Sequence, residues 1–135
     1  IKLGIKMHEY LECIDFINPN YDQIANAFLK KKIRNFIESE FIQQNKDYNI
    51  QKEYEFIYEK DQKEYHGMID LLIETPTKII ILDYKLNHLV DDAYIKQLKG
   101  YKSYIETKTS KPISLYLYSI LKEEFISLEK ELTMV

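Results

Sequence analysis

The chain has 135 residues, 45% hydrophobic and 30% charged, with three glycines and three prolines. That is enough for one domain with one core, burying roughly two-thirds of its unfolded surface, and the profile is globular, not disordered. A net charge of −3 argues against a strong stand-alone binder of nucleic acid. It leaves open an acidic metal site, where bound cations reverse the local sign. The single cysteine, Cys13, excludes an internal disulfide and a cysteine-ligated cluster and is expected to be a small core residue in a reducing compartment. No apolar run approaches membrane-spanning length and no signal-peptide pattern is present, so the expected location is cytoplasmic, without a membrane partner. Starting at Ile1 inside a helical pattern, the sequence reads as a fragment of a larger protein.

In chain order, Leu3, Met7, Leu11 and Ile14 recur at helical spacing from Lys2 to about Ile17, and Asn18-Pro19-Asn20 stops that helix. Asn20 is expected to cap a second helix, with Ile24, Phe28, Phe36 and Phe41 as one buried stripe, running to about Gln44. Gly4 is expected to let another backbone approach the first helix. After a loop at Asn45–Asn49 come three strand-like segments, Ile50–Glu59, Glu64–Thr75 and Lys78–Lys85, separated by turns at 60–63 and 75–77. The run Ile79-Ile80-Ile81-Leu82 does not alternate, as for a strand covered on both faces. Asp91 or Asp92 then caps a third helix to about Thr107, where Tyr94, Leu98, Tyr101 and Ile105 form a packing stripe. Ile113–Ile120 alternates into a further strand before a short C-terminal element. The order ααβββαβ predicts an α/β fold with a mixed central sheet flanked by helices.

Asp83 and Lys85 stand where the most apolar strand ends, two residues apart and therefore on one face, with Tyr84 on the other. A register symmetric about the turn at Pro76 brings Asp70 near Asp83. Facing carboxylates repel unless a cation lies between them, and their oxygens suit Mg²⁺ or Mn²⁺. Such a centre hydrolyses phosphodiesters, with Lys85 orienting or deprotonating water or stabilising the transition state. Taken singly, a strand-end Asp-x-Lys is more often an exposed pair, and Gly67 more often a bulge or close approach. Their joint spacing favours the site. Gln97 and Tyr101 share a helix face and can reach the end of the central strand or a phosphate. His66 and His88 read as surface residues, and Lys30-Lys31-Lys32 with Arg34 as a solvated helix face.

Gly67-Met68-Ile69-Asp70 followed by Asp83-Tyr84-Lys85 resembles the Gly-x-x-Asp and Asp-Tyr-Lys core of RecB/AddA-type nucleases in the PD-(D/E)XK superfamily. Gly4 to Glu12, containing His8, resembles the family's Gly-x-x-x-His segment. Glu53 resembles its Glu preceding an aromatic residue, and Gln97 with Tyr101 its Gln-x-x-x-Tyr motif. The five elements span nearly the whole chain in order.

The resemblance implies a restriction-endonuclease-like core with a metal held by His8, Asp70, Asp83 and the Tyr84 backbone carbonyl. Catalysis would involve Asp70, Asp83, Lys85, Glu53, Gln97 and Tyr101. It implies Mg²⁺ or Mn²⁺ as cofactor and DNA, as single strands or ends, as substrate. The implied partners are the helicase portion of the same chain and a second helicase–nuclease subunit, in recombination and double-strand-break repair. The interval between His8 and Asp70 is short for that family, and neither a four-cysteine cluster nor a phosphate-binding Gly-Lys-Ser/Thr loop is present. Three alternatives stand beside it: an inactive PD-(D/E)XK-like domain that grips DNA or a partner, a free-standing restriction or junction-resolving nuclease, and an unrelated α/β interaction domain.

Overall fold

The structure, a computed structural model, describes residues 2–87 and 91–128. It is an α/β fold: one mixed five-stranded sheet with helices on both faces. The strands are β1 (Asn49–Lys60), β2 (Lys63–Glu74), β3 (Ile79–Lys85), β4 (Ile113–Ser119) and β5 (Glu124–Ser127), in that spatial order. All neighbours are antiparallel except β3 and β4, whose parallel pairing requires a crossover. Helix α4 (Asp92–Glu106) lies in that crossover. The strand and hairpin expectations agree with the structure to within a residue or two, and the short C-terminal element is β5.

The helical half departs from the reading. Helix α1 spans Lys2–Cys13, because the Asp15 carboxylate accepts from the amides of Ile17 and Asn18 and turns the chain before Pro19 is reached. Asn20 caps only a single 3-10 turn at Tyr21–Gln23, whereas Asn26 accepts from Leu29 N at 3.0 Å and starts α2 (Ala27–Ile37). Ser39 then takes the Phe36 carbonyl at 2.6 Å and accepts from Ile42 N, so the expected single helix breaks and restarts as α3 (Glu40–Asn45). The buried stripe is Leu29, Ile33, Phe36 and Ile37, with Phe28 outside it at 48% exposure. Cys13 is exposed, not part of the core. It ends α1 on the side away from Leu11 and Ile14, which are buried. Among the described residues no helix is long and apolar enough to cross a membrane.

Two cores result, one on each face of the sheet. Met7, Leu11, Leu29, Ile33 and Phe36 pack with Ile80 and Leu82 on the first, and Ile95, Leu98 and Ile105 with Ile79 and Ile81 on the second. Burial of β3 on both faces accounts for its unalternating sequence. Tyr84 is buried in the first core, and its hydroxyl has no hydrogen-bond partner among the described residues.

The β1–β2 hairpin is longer than β3 and runs past it: pairing with β3 ends at Leu71↔Leu82, while pairing within the hairpin continues to Lys60↔Lys63. Asp61 and Gln62, with φ of 53° and 64°, make its two-residue turn, the positive-φ geometry that matches strand twist. Along β1, Ile50 packs on the first core but Tyr54, Phe56 and Tyr58 on the second; along β2, Leu71 lies in the first and Ile69 in the second. Residues two apart on a regular strand share a face. Both strands therefore reverse faces at one row, where Glu53 stands opposite Asp70 between the pairs Lys52↔Leu71 and Tyr54↔Ile69. Glu53 accommodates the reversal with a φ of 50°, which is costly for a residue with a Cβ.

Gly67 is required by packing, since a Cβ there would lie 2.3 Å from the Phe56 ring across the ladder. Gly4 differs from expectation: nothing lies within 4 Å of a Cβ built on it, and no backbone approaches. The two glycines should respond oppositely to alanine. In urea unfolding of the metal-free protein, Gly67→Ala is expected to cost about 1–3 kcal/mol by overpacking, and Gly4→Ala to gain up to about 1 kcal/mol from helix propensity. A neutral Gly67→Ala would contradict the close contact.

Candidate metal centre

The face reversal sets three carboxylates in one line across the sheet. Glu53 faces Asp70 in the hairpin, and one step beyond Leu71↔Leu82 in the same register sets Asp70 opposite Asp83. From the helical side α1 brings His8 over that row, its Nδ1 3.6 Å from Asp70 Oδ1. His8, Glu53 and Asp70 can each offer a ligand atom lying within 4.8 Å of the other two. One imidazole and two carboxylates form a donor set suited to Mn²⁺ or Mg²⁺ once other oxygens complete the shell.

Asp83 stands immediately beside this trio, not within it. Its Oδ2 accepts from the Tyr94 hydroxyl at 2.6 Å and lies 3.7 Å from Lys85 Nζ. The Lys85 ammonium sits 4.7 Å from the centre of the Tyr94 ring, so tyrosine holds both members of the strand-end pair. Tyr94 was read from sequence only as a packing residue. Its one polar signal was its place three residues after the Asp91 cap, which puts its side chain at the first turn of α4 beside the end of β3.

Asp70 has a second duty. Its Oδ2 accepts from Tyr84 N at 2.8 Å, at the level where β2 no longer pairs with β3. The Tyr84 backbone also acts on His8, favouring its protonated form against the burial that disfavours it. Gln97 and Tyr101 are not at the row of carboxylates. Gln97 Nε2 donates to the Tyr101 hydroxyl at 2.7 Å, and Met68 N donates to the same oxygen at 3.3 Å, further out along β2.

Burial dominates the electrostatics. Removal from water, then the hydrogen bond and charge of Asp83, push Asp70 up to about 10 despite the opposing Tyr84 amide. Burial also raises Glu53, with Glu12 and Asp83 adding to it. His8 is held below the usual imidazole range by burial first, Asp83 pulling it up and Lys85 down, so it is neutral and able to ligate near pH 7. The centre lines a groove of about 720 Å³ with Gly4, Glu9, Glu12, Glu55 and Met68 on its walls.

The basic run of α2 is engaged in structural contacts. Lys32 donates to the Leu121 carbonyl and to Glu123, and Lys30 and Arg34 pair with Asp22 and Glu38. His66 is exposed, as expected, and His88 lies outside the described residues. No protein-family model matches the chain, and no curated protein matches it.

These shifts fix the sign of the pH response without metal. A carboxyl raised in the folded state keeps its proton while the unfolded chain releases it, so stability falls as pH rises from about 4 toward about 10. Lowered His8 acts oppositely, costing stability as pH falls through its unfolded value near 6.5. The melting temperature of EDTA-treated protein is therefore expected to drop between pH 6.5 and 9, and Asp70→Asn to flatten that drop. Mn²⁺ should raise the melting temperature more at pH 8 than at pH 6, because ligation must displace the proton. A wild-type profile flat from pH 6.5 to 9 would contradict the assignment.

Proposed function

We propose that the chain is a divalent-metal-dependent deoxyribonuclease domain of the PD-(D/E)XK type, hydrolysing DNA phosphodiester bonds. The observation that carries this reading is the convergence of His8, Glu53 and Asp70 within 4.8 Å, with Asp83 and Lys85 alongside. Only the donor chemistry and the crowding of carboxylates bear on the metal, and both fit a hard divalent cation. Held by His8, Glu53 and Asp70, with Asp83 beside them, such a cation supplies Lewis acidity toward the phosphate and makes water a nucleophile near neutral pH.

The chain's own groups do the rest. Neutral His8 offers a nitrogen without adding charge, and Asp70 is held in place by the Tyr84 amide. Lys85, with its side chain 41% exposed, holds an ammonium beside Asp83 for orienting water or for meeting charge that develops on phosphate oxygens. Tyr94 positions the Asp83–Lys85 pair by hydrogen bond and ring contact. The family resemblance extends the proposal to single strands or ends as substrate, Mg²⁺ or Mn²⁺ as cofactor, and a helicase–nuclease as parent assembly in recombination and break repair. An inactive module that grips DNA with this surface is disfavoured, since the glutamates Glu9, Glu12, Glu53 and Glu55 in one groove repel phosphate unless a cation intervenes.

Cleavage of linear single- and double-stranded DNA with EDTA, Mg²⁺ or Mn²⁺ tests the proposal. Activity is expected with metal alone, with Lys85→Ala lowering kcat by about 10²–10⁴-fold and Glu53→Gln weakening metal dependence. Tyr94→Phe, which keeps the ring but loses the hydrogen bond, is expected to cost about 10–100-fold in metal affinity or activity. Activity that survives both EDTA and Lys85→Ala would overturn the mechanism.

A further inference from the structure

The acidic groove is one end of a longer trough. It shares Glu55 and Met68 with a cavity of about 760 Å³ whose walls include Gln97 and Tyr101. That cavity shares Gln97 and Tyr101 with another of about 330 Å³, which ends on Tyr58, Tyr65, Lys60 and Lys96. The trough follows β2 where it has left β3, between that free edge and α4. Met68 N, which on this edge has no β3 partner, is taken by the Tyr101 hydroxyl.

Its chemistry changes along its length. Antiparallel partners share a face, so the pairs Tyr58↔Tyr65 and Lys60↔Lys63 stand together on the hairpin face that meets α4, while Glu59↔Glu64 stand on the other. Tyr58 and Tyr65 stack at 5.3 Å with rings 18° apart, and Tyr65 remains 38% exposed. Gly100 permits the close approach of Tyr58 to α4, a Cβ there falling 2.5 Å from its hydroxyl. Lys96, one turn earlier on α4, is exposed beside the pair. Tyr65 stands five positions from Asp70 along β2, or about 17 Å at a strand's rise, a few nucleotides of an extended strand.

We infer that this far end is a single-strand subsite: Tyr65 stacks a base of the substrate strand, and Lys60 and Lys96 bind its phosphates, a few nucleotides from the scissile bond. The inference rests on the nuclease reading for the identity of the strand. Physically it joins an aromatic platform to cations on one face, the combination that holds single strands without reading sequence. It also supplies the cationic surface that the metal end of the groove lacks.

The test uses fluorescein-labelled dT12 and a one-phosphate substrate, thymidine 5′-(p-nitrophenyl phosphate), which is too short to reach the subsite. Tyr65→Ala is expected to lower kcat/KM on dT12 about tenfold and to leave the small ester within about twofold. Lys60→Gln with Lys96→Gln should do the same, and should flatten the salt dependence of dT12 binding, read by anisotropy in Ca²⁺, by about 1.4 log units per decade of salt. Tyr65→Ala should weaken that binding with its salt slope unchanged. Equal losses on both substrates, or none on either, would overturn the subsite. If the parent protein cleaves neither substrate, the nuclease reading fails and anisotropy still decides the subsite: variants that bind dT12 like the parent overturn it. The three side chains are exposed or partly exposed, and thermal melts confirm that the variants fold.

Discussion

The centre depends on one hydrogen bond, from the Tyr84 amide to the Asp70 carboxylate. Where β2 parts from β3 the ladder ends, and a buried backbone amide must find another acceptor. A side chain supplies it here, which anchors Asp70 at the fork and leaves its second oxygen toward His8. The same fork aligns Asp70 with Asp83 on one side and Glu53 on the other. The face reversal of the hairpin, with its left-handed Glu53, is the backbone cost of bringing the third carboxylate into that row. Residues held in sparsely populated backbone conformations gather at functional sites, where the surrounding structure over-determines them.

Crowding acids at a fork is unfavourable unless charge is removed, and the molecule has two ways to remove it. Without a cation the Asp70–Asp83 pair retains a proton, which burial and proximity drive far above the carboxylate range. With a bound cation, as proposed, that proton would leave and the acidic row would become a ligand set. Lys85 pairs with Asp83 at 3.7 Å and is steadied there by Tyr94. The arrangement thus keeps a cation-sized demand for positive charge at the row and a separate ammonium beside it. The proposed phosphodiester hydrolysis would use that division: a cation for the phosphoryl oxygens and water, another group to move or orient a proton.

How much of this was legible in the sequence follows from the range of the forces involved. The hairpin, the buried β3 and the approach of Asp70 to Asp83 were readable, because strand patterning is local and the short turn at Pro76 fixes the β2–β3 register over the few residues on either side of it. The break at Ser39 was not, since Phe36 and Phe41 continue a helical stripe and only a tertiary packing choice makes a serine cap preferable to another turn. Cys13 and Phe28 were misread for a related reason: periodicity says that a stripe exists but not where its edges fall. Glu53 was found by resemblance, not by alternation, since its place depends on a reversal that a regular strand would forbid. Tyr94 was hidden by its own success as a packing residue. A buried aromatic satisfies the helical pattern fully and leaves no unexplained polarity to notice.

The hairpin beyond the fork has lost its β3 neighbour and keeps its place by packing against α4. Phe56 lies flat on Tyr104 with centroids 4.4 Å apart and covers Gly67, while Tyr58 fits over Gly100. Both contacts require glycine, the first within the hairpin and the second between hairpin and helix, so the approach of Tyr58 to α4 is set by bare backbone. That spacing is what leaves a trough between the β2 edge and α4 instead of a filled interface. An unpaired strand edge is ordinarily a liability, open to association with any extended chain. Here it is partly plugged by Tyr101, with Lys60 and Lys96 at one end of the trough and glutamates at the other. The fork therefore does two things at once: it gathers the carboxylates, and it opens the channel that leads to them.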